Sequence, residues 1–482
     1  MSHKKVSHSN KNPLLFIGRE HELDTLTTLD QTPGAKIVVL YGRRRVGKTT
    51  LIKQAFNKRR LLTFEGLQGR NQQEQLNHFA EQLMILFNQK KSLRIALTSW
   101  REAFLALWAF IEKGEYTIHL EELQWMANYQ NELVSDLKYI WDNFWSNNPQ
   151  LIVVLCGSAP SFLIQAVMRS KALHNRSQIE VPLGELEIHE AELLFPKNRS
   201  RSEKLDAYLA VGGIPEYLRM LMTDSSVYLS LVKNAFVKGG YFLHEAERIF
   251  TSGLSDSPEY RRLLELLARY GNQSQTDLLQ RLRYPSGGGA KRLFDDLEMC
   301  EFTYAYTPLA FGEHGRSMRW MIRDAYLQMY FRLIKPKAAA VMRGDFGGAP
   351  SKGLPHTEYR KWLGLAFERF CLFNHRRIAK HLGFSAIEYN VGPYYRRDHS
   401  GNAQIDLVFD RKDRVLTVCE MKHLVEPPGK EIIRPFEQSL RLLDGFKKYS
   451  IHKVLVSPNG AAASLAREGY FDDVVEINAM FG

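Results

Sequence analysis

KIVVLYGRRRVGKTTLIKQAF, residues 36–56, joins an uninterrupted apolar run, a glycine-bounded basic loop and the start of an amphipathic helix. The run KIVVLY is short and β-branched and breaks at Gly42, which predicts a strand of a parallel sheet buried on both faces. Gly42 to Thr49 fits G-x-x-x-x-G-K-[ST] between that strand and a helix beginning near Lys48, the context a phosphate-binding loop requires. There the glycines let backbone N–H groups close around phosphate oxygens, and the helix start adds a favourable dipole. Lys48 is expected to reach the β and γ phosphates of a nucleoside triphosphate, and the Thr49 hydroxyl to ligate Mg2+. The expected nucleotide-binding set is Gly42, Arg43, Arg44, Arg45, Val46, Gly47, Lys48, Thr49 and Thr50, with the three arginines adding positive potential.

Further runs of the same kind follow at 61–64, 116–120, 151–156 and 178–183. Between them Leu76, Phe79, Ala80, Leu83 and Phe87 recur at helical spacing. So do Trp100, Phe104, Leu107, Trp108 and Ile111, and then Leu133, Leu137, Ile140, Trp141 and Phe144, and these stripes are expected in the core. The alternation predicts an α/β layer with a mainly parallel sheet and a ligand at the carboxyl ends of its strands. YTIHL ends in Glu121 and Glu122. Glu121 is expected to hold the metal, and Glu122 to orient or deprotonate an attacking water. LIVVLC ends in Gly157 and Ser158, which places the Ser158 hydroxyl between Glu122 and the γ-phosphate as a sensor, or in a plain turn. Arg176 is a candidate arginine finger, acting in its own subunit or across a homo-oligomer.

The strand pattern stops after residue 195. The chain divides into a P-loop core over 14–195, a helical subdomain over 196–255, a winged helix-turn-helix over 256–335, a Gly/Pro-rich linker over 336–355 and a last unit over 356–482. The winged helix rests on three short helices followed by a hairpin around Gly312 and Gly315. Lys291, Arg292, Arg316 and Arg319 are its candidate phosphate contacts. The last unit reads as a helix near 362–373, strands near 384–391, 403–409 and 414–421, a helix near 433–447 and a final strand HKVLVS.

At FIGRE (16–20), GRRRVGKTT, LEELQW (120–125), LCGS (155–158) and GGIPEYL (212–218), the chain resembles the archaeal-type ATPase family of AAA+ and STAND P-loop proteins. The resemblance spans residues 14 to about 335 and implies ATP rather than GTP. It also implies that Ile17, Gly18 and Arg19 lie near the adenine, and that a helical subdomain and a winged helix follow the nucleotide fold. Glu121 departs from the family's usual aspartate.

In NAQIDLVFDRKDRVLTVCEMKHL, residues 402–424, Asp406 lies on one strand of a hairpin, and Glu420 and Lys422 lie two apart on the other, so both point to one face. Two carboxylates there suit Mg2+, with the lysine neutralising a scissile phosphate. The arrangement resembles the PD-(D/E)xK nuclease fold, a restriction-endonuclease-like α/β domain, in which Glu368 matches the additional acidic residue, with Gln438 a weaker match.

A formal charge of +12 favours a polyanionic partner such as DNA. The four cysteines have neither CxxC nor zinc spacing, and no stretch is apolar enough to span a membrane, which points to a cytoplasmic protein. The expected activity is ATP hydrolysis gating a Mg2+-dependent nuclease-like domain on DNA. The alternative is a nucleotide-controlled switch whose last domain is a non-cleaving platform for DNA or a protein partner. A transcription regulator ranks third, because it would leave the ATPase and the C-terminal carboxylates without purpose.

Overall fold

The computed structural model describes residues 16–87, 96–168, 176–253, 257–309, 318–398, 401–443 and 448–481. Five parallel strands form the first sheet: β1 (Lys36–Tyr41), β2 (Arg60–Glu65), β3 (Tyr116–Glu121), β4 (Ile152–Gly157) and β5 (Ser177–Pro182). Their order is β2-β3-β4-β1-β5, so β1 runs between β4 and β5 and delivers the phosphate loop from inside the sheet, one strand from its edge. Successive side chains of a strand face opposite ways. Val38 and Leu40 accordingly enter one apolar core and Ile37 and Val39 the other, which is why the run is apolar throughout. The aromatic stripes fill the second core, where Phe64 stacks on Phe79 at 4.3 Å between ring centroids and Trp100 stacks on Phe104 at 5.8 Å.

Beyond β5 come helices at Arg201–Val211, Pro215–Met220, Val227–Ala235 and Tyr241–Gly253. Three more, Pro258–Tyr270, Gln275–Leu282 and Gly288–Met299, pack with a small antiparallel sheet. Its strands are β6 (Gln273–Ser274), β7 (Thr303–Tyr306) and β8 (Arg319–Ile322), in the order β6-β8-β7. Gly312, Gly315 and Arg316 lie outside the described residues.

The expected linker is built differently. Residues 338–343 form a helix, Val341 and Leu354 are buried, and the Tyr228 hydroxyl donates to the Leu354 carbonyl at 2.6 Å. A glycine-rich composition marks turns, and here the turns lie between segments that each bury an apolar residue.

The last unit has the long helix His356–Phe373, the helix His375–His381 and a mixed sheet of β9 (Tyr389–Asp398), β10 (Gly401–Arg411), β11 (Val415–Met421), β12 (Ser450–Val456) and β13 (Asp473–Val475). The order is β13-β12-β11-β10-β9, antiparallel from β9 to β11 and parallel from β11 to β13. β9 begins five residues later than the sequence suggests, because Phe384 is drawn into the core by the rings of Tyr389 and Phe409. One apolar cluster runs from Leu26 through the helices and the small sheet to Met480 and Phe481, so the last unit shares this core with one face of the first sheet, the helices and the small sheet. No described helix is long and apolar enough to cross a membrane.

Candidate nucleotide site and C-terminal carboxylate site

The phosphate loop keeps its shape through two glycines. A Cβ on Gly42 would stand 2.1 Å from the Leu183 carbonyl oxygen, and Gly47 has a φ of 101°. Lys48 begins the helix Lys48–Ala55, is buried, and donates from Nζ to the carbonyls of Gly42 at 2.8 Å and Arg43 at 3.0 Å. Thr49 and Thr50 follow on the first turn, and the Thr49 hydroxyl donates to Glu121 at the end of β3. Burial pushes the Glu121 carboxyl up, the Thr49 hydrogen bond pulls it back, and the neighbouring Glu65 and Glu122 push it up again. A hydroxyl and a carboxylate in direct contact beside like charges are a hard-oxygen donor pair suited to a divalent cation.

Glu122 takes a left-handed backbone conformation, φ 54°, at the turn after β3. Its Oε2 accepts from the Ser158 amide at 3.1 Å, the Ser158 hydroxyl at 2.6 Å and Gln124 Nε2 at 2.6 Å. Three donors on one oxygen fix its direction. Ser158, buried at the end of β4, therefore holds the glutamate in this structure. Gln124, inside the LEELQW box, was not singled out from sequence. The signal was an amide two residues beyond the second glutamate.

The loop arginines depart from expectation. Arg43 is buried, pairs with Glu185 at 3.1 Å and with Asp324, and lies 4.8 Å over the Phe302 ring. Arg45 pairs with Glu216 and, at 2.8 Å, with the buried Glu245, and lies 5.0 Å over Tyr241. Two of the three expected positive charges are thus neutralised by carboxylates, and only Arg44 is exposed. Asp324 and Glu245 come from elements far along the chain, so no local pattern announced them. Arg19 spans the rear of the loop, donating to the carbonyls of Val46 at 3.2 Å and Gly184 at 2.5 Å, while its amide donates to Glu190 at 2.6 Å. Ile17 and Gly18 lead into it, ahead of the helix Glu20–Gln31.

Arg176 does not reach this site within its own chain. It precedes β5, and Ser177 is in register with Ile37 at the amino end of β1, one strand length, about 17 Å, from the phosphate loop. Its guanidinium forms a two-point contact with Asp142 at 2.7 and 2.9 Å.

In the C-terminal sheet, Leu407 opposite Cys419 carries Asp406 to the position facing Glu420, next to an irregularity in the β9 pairing between Ile405 and Val408. Lys422 donates to Glu420, and Gln404 Nε2 donates to Asp406 at 2.9 Å. Glu368, on the helix packed against β10, is pushed up by burial first and then by Asp406, with Lys422 pulling it down. Glu420 is also raised by burial and lowered by Lys422. The four side chains thus sense one another. Among the described residues no group of three or more His, Cys, Asp or Glu is close enough to hold a metal ion alone. Magnesium keeps several waters and takes one or two carboxylates, so Asp406 and Glu420 fit that smaller demand. Gln438 stands exposed on the helix Ile433–Arg441. Arg319 donates to the Asn272 carbonyl at 3.2 Å, whereas Lys291 and Arg292 are exposed on the helix Gly288–Met299.

Residues 16–221 match the family model described as an ATPase domain predominantly from Archaea. An uncharacterised protein of Methanocaldococcus jannaschii is 24% identical over 444 residues, 90% of this chain and 94% of its own length. An uncharacterised ATP-binding protein of the same organism is 40% identical over 48 residues, 10% of this chain and 81% of its own. Among solved structures, a Walker-type ATPase of Pyrococcus abyssi is 18% identical with a TM-score of 0.48, covering 66% of this chain and 96% of that one. The Aeropyrum pernix ORC2 protein, solved with ADPNP and ADP, is 13% identical with a TM-score of 0.45, covering 70% and 97%.

Proposed function

We propose that the chain binds and hydrolyses ATP at residues 42–49, and that the nucleotide state controls a DNA-cleaving site formed by Asp406, Glu420 and Lys422. The observation that carries the first half is the Glu122 carboxylate, held by three donors beside Lys48 and Thr49 at the carboxyl edge of the sheet. A carboxylate with one oxygen so engaged keeps the other to accept a proton from water. Lys48 neutralises phosphate charge, and Thr49 with Glu121 would hold magnesium, which screens the phosphates when bound.

The second half rests on Asp406 facing Glu420 with Lys422 on the same side and Glu368 behind them. Asp406 and Glu420 would hold a second magnesium, and Lys422 is free to trade its contact with Glu420 for a scissile phosphate. DNA as partner is supported by the net charge of +12 and by exposed Lys291 and Arg292 on a helix we read as the recognition element of a winged helix over 256–335. The test incubates purified protein with linear and circular DNA, ATP and Mg2+, beside Asp406→Ala. Cleavage by the native chain alone is expected, and equal products from both, or none, sink the nuclease half.

A second reading, a nucleotide-controlled switch that does not cut, is favoured by the arginine ties. Arg43 to Asp324 and Arg45 to Glu245 connect the phosphate loop directly to two later units. If ATP changes the elution volume on a sizing column while DNA neither binds nor accelerates hydrolysis, the switch is the better account. Arg176 then remains open as a finger offered to a neighbouring subunit, a role that needs Asp142 to release it.

A further inference from the structure

We infer that the cleft where the ATPase sheet, the helical subdomain, β8 and the last unit meet is a second anion site, fitted to a nucleotide-sized phosphate ester and separate from the phosphate loop. Its volume is about 880 Å³, within the range of small-molecule sites. None of residues 36–56 lines it.

The charge pattern identifies the ligand class. Arg369, Phe373, Arg376, Arg377 and Lys380 follow one another at helical spacing along two consecutive helices and line one wall. Arg323 faces them from the end of β8. The cleft also holds three carboxylates, each already paired: Glu185 with Arg43, Glu187 with Arg377 and Glu301 with Arg323. Among the described residues Arg369, Arg376 and Lys380 have no ion pair, so the wall carries uncompensated positive charge. Arg369 is the costliest of these, because burial pulls its guanidinium down to about 10 even with Glu368 pulling it up. An anion bound there would restore what burial removes. Tyr208, Phe370 and Phe373 supply an apolar floor, with Arg323 lying 5.9 Å over the Phe373 ring. Guanidinium forks above a flat apolar floor suit a phosphate joined to an aromatic base.

Glu185 stands on the shared wall. One of its oxygens contacts Arg43 of the phosphate loop at 3.1 Å and the other accepts from the Gly213 amide at 2.9 Å. An occupant of the cleft is therefore one carboxylate away from the loop.

The test uses the full chain carrying Lys48→Ala, which disables the phosphate loop, and titrates ADP or tripolyphosphate by calorimetry in EDTA. We expect one residual site per chain. Arg376→Ala with Lys380→Ala, both exposed, should weaken it at least tenfold, and Arg369→Ala should do the same. Lys361→Ala with Lys412→Ala, an equal loss of charge outside the cleft, should leave it unchanged. No residual binding, or equal weakening by the control pair, overturns the site. Native protein that binds no nucleotide, or binds it as well after Lys48→Ala with the cleft variants also in place, instead sinks the phosphate-loop reading. A 5′-phosphorylated hexanucleotide separates the two sources of this chemistry: competition with ADP assigns a strand end, and its absence a free nucleotide.

Discussion

Lys48 holds two loop carbonyls with an ammonium that has nowhere else to go in the buried loop. Replacing it with alanine removes the charge that phosphate needs, so ATP binding measured by calorimetry should weaken at least a hundredfold at the loop. Glu122→Gln keeps the donors' geometry but cannot take a proton. Binding should persist while steady-state phosphate release falls by roughly 10²- to 10³-fold, within the range of general-base effects. Unchanged turnover would remove Glu122 from the chemistry. Glu368 makes a different kind of prediction. Its carboxyl is raised by burial, so the folded chain binds its proton more tightly than the unfolded chain does. The ionised side chain therefore costs stability above the folded pKa, and this penalty vanishes below the unfolded pKa, near ~4.3. Glu368→Gln should raise the unfolding free energy at pH 8 in EDTA by about 1 kcal/mol, measured by denaturant unfolding, with the gain shrinking as pH falls towards 4.5. A gain that grows on acidification would contradict the reading.

At the scale of elements, two ion pairs tie the phosphate loop to parts of the chain that the sequence gives no reason to connect. Asp324 is fully buried, caps the helix Ala325–Met329 through the Leu327 amide, and faces Arg43 with its other oxygen. Removing one partner of a buried pair leaves a charge without compensation, which costs about 3–5 kcal/mol. Arg43→Met should therefore destabilise the chain by that order, and Asp324→Asn added to it should recover a large part. Denaturant unfolding of the two single variants and the double variant measures the coupling, and purely additive losses would show that the pair is incidental. The elements themselves were legible: the apolar strands, the aromatic helix stripes and the hairpin that brings Asp406 to Glu420 all follow from periods of two and 3.6. The terminal strand β13 was not legible. Its three residues have no run long enough to show a period, and it exists because β12 offers a free edge.

For the whole molecule, one apolar cluster spans all units, and the segment read as a linker contributes Val341 and Leu354 to it. A chain cut after residue 355 would expose Tyr359's neighbours on the helical subdomain, along with the partners of Arg360 and His423, which meet Asp206 at 3.1 Å each. We predict that limited proteolysis of the native chain spares 338–354, and that a fragment ending at 355 aggregates on expression. Ready cleavage there into two soluble pieces would restore the linker view.

The phosphate loop, the parallel strands around it and the paired glutamates were determined by the sequence alone, since each is marked by a residue pattern within one short run. Tertiary structure decided where the charges go. Burial placed Arg43 and Arg45 against carboxylates from remote segments, set Arg176 at the opposite end of the sheet from the phosphate loop, and lined a cleft with arginines. A charged side chain takes its meaning from what it is buried beside, and that neighbour is chosen by the fold rather than by adjacency in the chain.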